Sequence, residues 1–474
     1  MESRPSEDPS SAPPASKSGL SRTQLGFVAA NVRSRIWAFD PIGLRGAPAD
    51  YHPGMRAFWL DSLLATVSDS FYTPFLSLFI LALGGTAVQV GWLAATASLM
   101  GMVAPIPGAS LTQRWGRRKR MVVVFSVLFR LMLLLAALMP TILPAPSAVL
   151  AIVVLMSLRV GFLNFFIPAW ISLTRDIVPL SSRGHYFSSR NVMTALASML
   201  AIPVAGQLIQ WLGAPRGYQW TLFIAFAVGI AASYVFGRIP EHVSAVPRPG
   251  ETAAGVLSQL RIFWRALTGN RVFLAFAMIR LLWDLALMIG GPYFSVYQVE
   301  VLGTPANVVG LLATAAALAR MVGLRVWGRW MDRKSAAWTT TLAALTVPIL
   351  PFMWIFATKP WHIIFPSIGT GLLWSGFEIG SFALLLELIE GEESTQAAAG
   401  YATLLSAAGV VGPLVGGWIV SRSGYHWNFA LSGLLRLVAG LLFLWLLKPF
   451  GKRNTAAAEP AANLETVQEL EPAT

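Results

Sequence analysis

Leu83-Gly84 … Val90-Gly91-Trp92-Leu93-Ala94 … Gln113-Arg114-Trp115-Gly116-Arg117-Arg118 and Leu302-Gly303 … Val309-Gly310-Leu311-Leu312-Ala313 … Asp332-Arg333-Lys334-Ser335 are two copies of one pattern. A constant offset of 219 carries Leu83 onto Leu302, Gly91 onto Gly310 and Arg114 onto Arg333 without a gap. Each copy is an apolar stretch of helical length that ends in a short basic turn. One such unit per half is the mark of a chain built from two related bundles. The later part of each half repeats too. Pro203 and Gly206 match Pro413 and Gly416, and Gly217-Tyr218-Gln219-Trp220 matches Gly424-Tyr425-His426-Trp427.

Around these copies the chain is written for lipid. Of its 474 residues 55% are apolar and 12% charged, with a mean hydropathy of +0.62. A soluble domain carries about 25% charged residues. Apolar runs of roughly 20 residues, each long enough to cross a hydrocarbon core, recur twelve times. Six fall between 57 and 237 and six between 272 and 447. The expected fold is an all-α polytopic membrane protein with twelve transmembrane helices in two pseudo-symmetric six-helix bundles. The expected division is an N-terminal tail (1–55), a first bundle (56–238), a linker (239–270), a second bundle (271–450) and a C-terminal tail (451–474).

The net charge of +13 is concentrated in turns on one side. Arg114, Arg117, Arg118, Lys119 and Arg120 crowd one turn, and Arg325, Arg329, Arg333 and Lys334 its counterpart. The opposite connections hold little more than Arg216, Lys359 and Arg422. By the positive-inside rule the basic turns and both termini are cytoplasmic, in a cell (inner) membrane. That placement speaks for topology and against a nucleic-acid partner. Residues 1–22 are Pro/Ser-rich and lack the apolar core of a signal peptide, so they read as a disordered tail. Residues 23–50 mix apolar and basic positions and fit either a surface helix or an unstructured leader. The linker reads as part loop, part surface helix, and the Ala/Glu-rich tail from Asn454 as disordered. There are no cysteines, and the five histidines lie in tails and connections, which leaves no catalytic or metal-ligating set. No phosphate-binding Gly-x-x-x-x-Gly-Lys-Ser/Thr sequence is present either.

The basic turns resemble the signature of the major facilitator superfamily, Gly-x-Leu-x-Asp-Arg-x-Gly-Arg-Arg, which lies between helices 2 and 3 with a weaker copy between helices 8 and 9. The first copy here is Ala109-Ser110-Leu111-Thr112-Gln113-Arg114-Trp115-Gly116-Arg117-Arg118, and the second Gly328-Arg329-Trp330-Met331-Asp332-Arg333-Lys334-Ser335. The turn Asp176-Ile177-Val178-Pro179 … Arg183-Gly184-His185-Tyr186-Phe187 also looks like bacterial members. The resemblance spans roughly 55–450 and implies a gate on the cytoplasmic side. Asp332 would face the start of helix 5 at Ser188 and Ser189, Arg117 or Arg118 would pair with Asp176, and Arg333 with Glu387. The first copy departs from the pattern, since Gln113 stands where the family has an acid and carries no charge. Gly409-Val410-Val411-Gly412-Pro413-Leu414-Val415-Gly416-Gly417 resembles a signature associated with antiporters, although close packing through small residues explains it better.

Charges inside spans cost about 2.5–3.5 kcal/mol even on lenient scales, so each needs a reason. Asp69, Arg159, Arg280, Asp284 and Glu378 sit near mid-span on helices 1, 4, 7 and 10, which the resemblance assigns to a central cavity. These five are the candidate proton-coupling or substrate residues, with Tyr72, Trp283, Trp374 and Phe377 as aromatic cavity residues. Arg280 and Asp284, four apart, share a helix face and can neutralise each other. Arg130, Arg320 and Arg436 read as structural, and Asp61 as a solvated or gating residue. Gly290-Gly291-Pro292 and Pro168 are candidate helix breaks. Together these features imply no enzyme but a secondary active transporter, symporter or antiporter, moving a small organic solute by alternating access. The expected drive is a proton gradient with no other cofactor, and the partners are the solute and the bilayer around a monomer. The alternative is a non-transporting sensor or scaffold that kept the fold.

Overall fold

The computed structural model describes residues 40–240, 270–389 and 394–468, with side chains described throughout these except at 113, 394–399 and 448–468. The described residues contain no strand and twelve helices long and apolar enough to span a bilayer. The first six are α1 (Ala49–Ala82), α2 (Ala87–Thr112), α3 (Arg118–Ile142), α4 (Ala145–Ile177), α5 (Leu180–Leu212) and α6 (Arg216–Gly237). After the linker come α7 (Arg271–Glu300), α8 (Ala306–Arg333), α9 (Ala336–Ile355), α10 (Pro360–Leu388), α11 (Gly400–Ser423) and α12 (Tyr425–Leu447). The chain is a multi-pass membrane protein.

Several ends differ from the sequence expectation, for local reasons. α1 starts at Ala49 rather than 57, because Pro53 suits a first turn where no N–H bond is lost. α5 begins eleven residues before its apolar run, in a polar turn that hydropathy does not register. The helix of α12 continues to Gln468, so Asn454–Gln468 is helical where the sequence predicts disorder. Its Ala and Glu residues are strong helix formers. The basic stretch 23–37 and nearly all of the linker lie outside the described residues.

Gly290-Gly291-Pro292 and Pro168 do not break their helices; α7 and α4 run through them. Gly290 instead admits Ser432 of α12, whose hydroxyl donates to the Ala286 carbonyl at 2.6 Å. Interruptions fall instead in α1, where Thr73–Phe75 tightens into a 3₁₀ turn at Pro74, in α2 at Ala104 and in α9 at Val347 and Pro348.

α1 packs on α5 and α6, α3 on α4 and α6, and α2 on α4; the second bundle is built from α7 with α11 and α12, α8 with α10, and α9 with α10 and α12. The bundles meet through α2 against α11 and α5 against α8. On the face with the basic turns each bundle keeps its own core, around Phe58, Met121 and Tyr186 in one and Phe276, Phe377 and Phe443 in the other. On the opposite face one cluster draws on both bundles, joining Phe75, Phe79 and Tyr218 to Tyr293, Tyr297 and Phe429. Backbones come close there. A Cβ on Gly91 would stand 2.2 Å from the Tyr293 hydroxyl, which itself donates to the Pro413 carbonyl. The molecule is sealed on that face, and its cores part company on the basic one.

Candidate functional site

The mid-span charges do not converge on one point; they form three separate pairs. In the first bundle the Arg159 guanidinium of α4 donates to Asp69 of α1 at 2.7 Å. The Arg159 side chain is 6% exposed and that of Asp69 49%, so the pair is a buried cation holding a half-solvated acid. Tyr72 and Phe129 lie under the guanidinium, their ring centres 4.6 and 4.5 Å away, and add cation–π attraction. The Tyr72 hydroxyl donates to the same carboxylate oxygen at 3.4 Å.

Asp69 lines a cavity of about 340 Å³ inside this bundle, together with Asp61, Arg130 and Arg190. Asp61 makes no hydrogen bond or ion pair among the described residues, whereas Arg190 is fixed by Ser62 at 2.6 Å and Arg130 by Ser68 at 2.9 Å. Sequence reading set Arg130 aside as structural. Its burial beside an acid-lined cavity was not visible, because one bare arginine in an apolar run gives no rotational position.

In the second bundle Arg280 donates to Asp284 at 2.8 Å within α7 and to Ser381 of α10 at 2.8 Å. Arg320 of α8 grips both oxygens of Glu378 of α10, at 2.8 and 2.6 Å. This pair is close to half exposed on both sides, 47% and 45%. Arg320, read from the sequence as structural, is the partner of a candidate site residue. Only a contact between residues 58 positions apart could have shown it.

Two of the four aromatic candidates do not line a cavity. Trp283 and Phe377 are fully buried and stacked, ring centres 4.2 Å apart, with the Arg280 guanidinium over Phe377. They pack α7 against α10, since a large ring at a helix contact buries more area than at an open wall. Tyr72 is buried beneath Arg159, and Trp374 alone among the four faces a cavity of ligand size, one of about 430 Å³ in the second bundle.

The gate residues are similarly divided. Arg118 donates to Asp176 at 2.7 Å and to Ser172 at 2.5 Å, tying the start of α3 to the end of α4. Gly116 takes φ +60° just after the helical turns that carry α2 on to Trp115, a conformation that favours glycine. Arg114 and Arg117 are exposed, and the Gln113 side chain lies outside the described residues. Asp332 does not reach α5, nor does Arg333 pair with Glu387; all three are exposed and unpaired among the described residues, and Gly328 packs on nothing. The parting of the bundles on this face accounts for it. The Ser189 hydroxyl donates instead to the carbonyls of Asp40 (3.0 Å) and Pro41 (2.6 Å), part of a leader turn docked on the start of α5. Burial raises the Asp40 pKa, but N–H bonds from Arg45 and Gly43 and the nearby His185 ring outweigh it and leave the carboxyl below its ordinary value.

The glycines of α11 serve packing: Gly412 meets Met288, Gly416 meets the Ile289 carbonyl, and Gly417 the Tyr293 ring.

Two six-helix bundles sealed at one face, with charged groups held between helices at mid-depth, have the architecture of a membrane carrier. The sequence profile of the Major Facilitator Superfamily matches residues 58–377 and 285–471. The chain belongs to that superfamily. Its fold is shared by the nucleoside transporter NupG, at TM-score 0.65 and 11% identity, covering 83% of this chain and 98% of the other. A D-xylose-proton symporter aligns at TM-score 0.59 and 15% identity over 82% and 95% of the two chains. Among sequence relatives, a "Putative sugar efflux transporter" of Deinococcus radiodurans is 26% identical over 176 residues, 36% of this chain and 44% of the relative. A peptide transporter of Yersinia enterocolitica, YePEPT, is 24% identical over 158 residues, 31% of this chain and 29% of the relative. These matched stretches span less than half the length of either curated relative.

Proposed function

We propose that the chain is a secondary active transporter that moves a small organic solute, of sugar or nucleoside type, by alternating access and coupled to protons. The observation that carries this is the Asp69–Arg159 pair, a half-solvated carboxylate on a cavity wall held by a buried cation. A solute that competes for either partner, or a proton that neutralises the acid, changes the balance of the pair, which is what coupling requires. The exposed Arg320–Glu378 pair offers the second bundle the same option. The basic face is assigned to the cytoplasm of the inner membrane from its Lys/Arg excess, so the sealed face looks outward and this is an inward-facing form. The solute type follows the sugar, xylose and nucleoside transporters that the chain resembles, and nothing favours the sensor alternative.

The test is flux in proteoliposomes under an imposed pH gradient, across a panel of sugars and nucleosides. Coupled flux that is lost in Asp69→Asn supports the proposal. Flux indifferent to the gradient in both wild type and Asp69→Asn sinks the coupling.

A further inference from the structure

Arg436 lies in the middle of α12 and is 3% exposed. Only its Nη2 is matched, donating at 3.0 Å to Ser432 one turn earlier, and its Nε is buried without a partner. Among the described residues no carboxylate forms an ion pair with it within 4 Å. Asp284, the acid that acts on it through space, is already held by Arg280. A buried guanidinium without a paired anion is costly, and an ionisable group inside a span is by default a candidate functional site.

This one forms part of the wall of the 430 Å³ cavity between α7, α8, α9 and α10. The volume suits a small organic ligand. Phe294, Trp354 and Trp374 supply aromatic faces to the same wall, and Ser367 and Thr370 supply hydroxyls. Flat apolar groups stack on such rings, while a planar guanidinium matches a carboxylate through two parallel hydrogen bonds. A single lining cation balances one negative charge, which argues for a monoanion over a phosphate dianion.

We propose that this cavity binds an organic monocarboxylate with an aromatic or apolar body, its carboxylate on Arg436 and its body against Trp354, Trp374 and Phe294. The site is built from the second bundle apart from Pro74 of α1 at its wall, and it does not require proton coupling. Its test therefore reads binding, not flux, and it stands or falls separately from the transport proposal.

The probes are 4-phenylbutyrate and its neutral isostere 4-phenylbutyramide, titrated calorimetrically into the purified full chain in nanodiscs. In the wild type the carboxylate is expected to bind about tenfold to a hundredfold more tightly than the amide, the range of a charge-assisted hydrogen bond. Arg436→Gln removes that preference. Ala313→Phe fills the cavity while leaving Arg436 in place, and it abolishes binding of both probes. Equal affinities in the wild type, or no saturable binding of 4-phenylbutyrate, overturn the proposal. So does a carboxylate preference that survives in either variant. Should Arg436→Gln not fold, the wild-type comparison and Ala313→Phe still decide the matter.

Discussion

Gly229 of α6 lies directly beneath the guanidinium of Arg130 on α3: a Cβ at 229 would stand 2.3 Å from Nη1 and 2.6 Å from Cδ. The bare backbone is what lets a cation rest at this depth, within reach of Ser68 and on the wall of the first cavity. Gly229→Ala is therefore expected to cost about 1–3 kcal/mol by overpacking. Thermal unfolding in detergent checks it, and Gly229→Ala with Arg130→Met should recover part of the loss.

Asp69→Asn should destabilise more than its own exposure suggests, because it strands the buried Arg159. A cost of about 1–3 kcal/mol follows, below the range for breaking a fully buried pair because Asp69 is half solvated. The double variant Asp69→Asn/Arg159→Gln should be more stable than Asp69→Asn alone. A double-mutant cycle by chemical denaturation measures this, and additive losses would count against the pairing energy.

Glu378→Gln behaves differently. Both partners of the Arg320–Glu378 pair are nearly half exposed, so its stability cost should stay below about 1 kcal/mol. Any marked loss of flux in this variant then reports on transport and not on folding. Melting temperature and uptake measured on the same preparation separate the two.

Gly91→Ala places a methyl against the Tyr293 hydroxyl and the Pro413 carbonyl, in the seal between the bundles. The sealed face should loosen, raising the labelling of a cysteine introduced at Val88 by a membrane-impermeant maleimide several-fold. Unchanged labelling would mean that the seal does not depend on this approach.

The leader turn should respond to acid. The folded Asp40 carboxyl is depressed, so its contribution is complete above the unfolded value of about 3.9 and is lost as pH falls through the folded value. Amide exchange at Gly43 and Arg45, whose N–H groups bond Asp40, should quicken below about pH 4 and in Asp40→Ala at neutral pH.

Helix number and the twofold repeat were legible because hydropathy and spacing are one-dimensional signals: length alone marks a span, and a constant offset marks a copy. The Arg118–Asp176 contact was legible only through the resemblance. What escaped is what depends on rotation about a helix axis. Trp283 and Trp374 lie on neighbouring helices and read alike, yet one is sealed inside the bundle and the other lines a cavity. Arg320 and Arg436 look equally stray in sequence, while one grips Glu378 and the other lacks a carboxylate. The seating of Ser432 against Gly290 of α7, from about 140 positions away, is contained in no local rule.

A hydroxyl has a single proton to give. That of Ser189 is committed to the carbonyls of Asp40 and Pro41, at the place where the resemblance would bring Asp332. Leader and gate thus compete for one donor. If the basic face closes in the family's manner, the leader turn behaves as a doorstop: the stretch 40–45 must give up its grip on α5 before the acid can take hold. The energy of the closed form then includes the undocking of a segment whose Ile42 and Leu44 also pack on the first bundle's core.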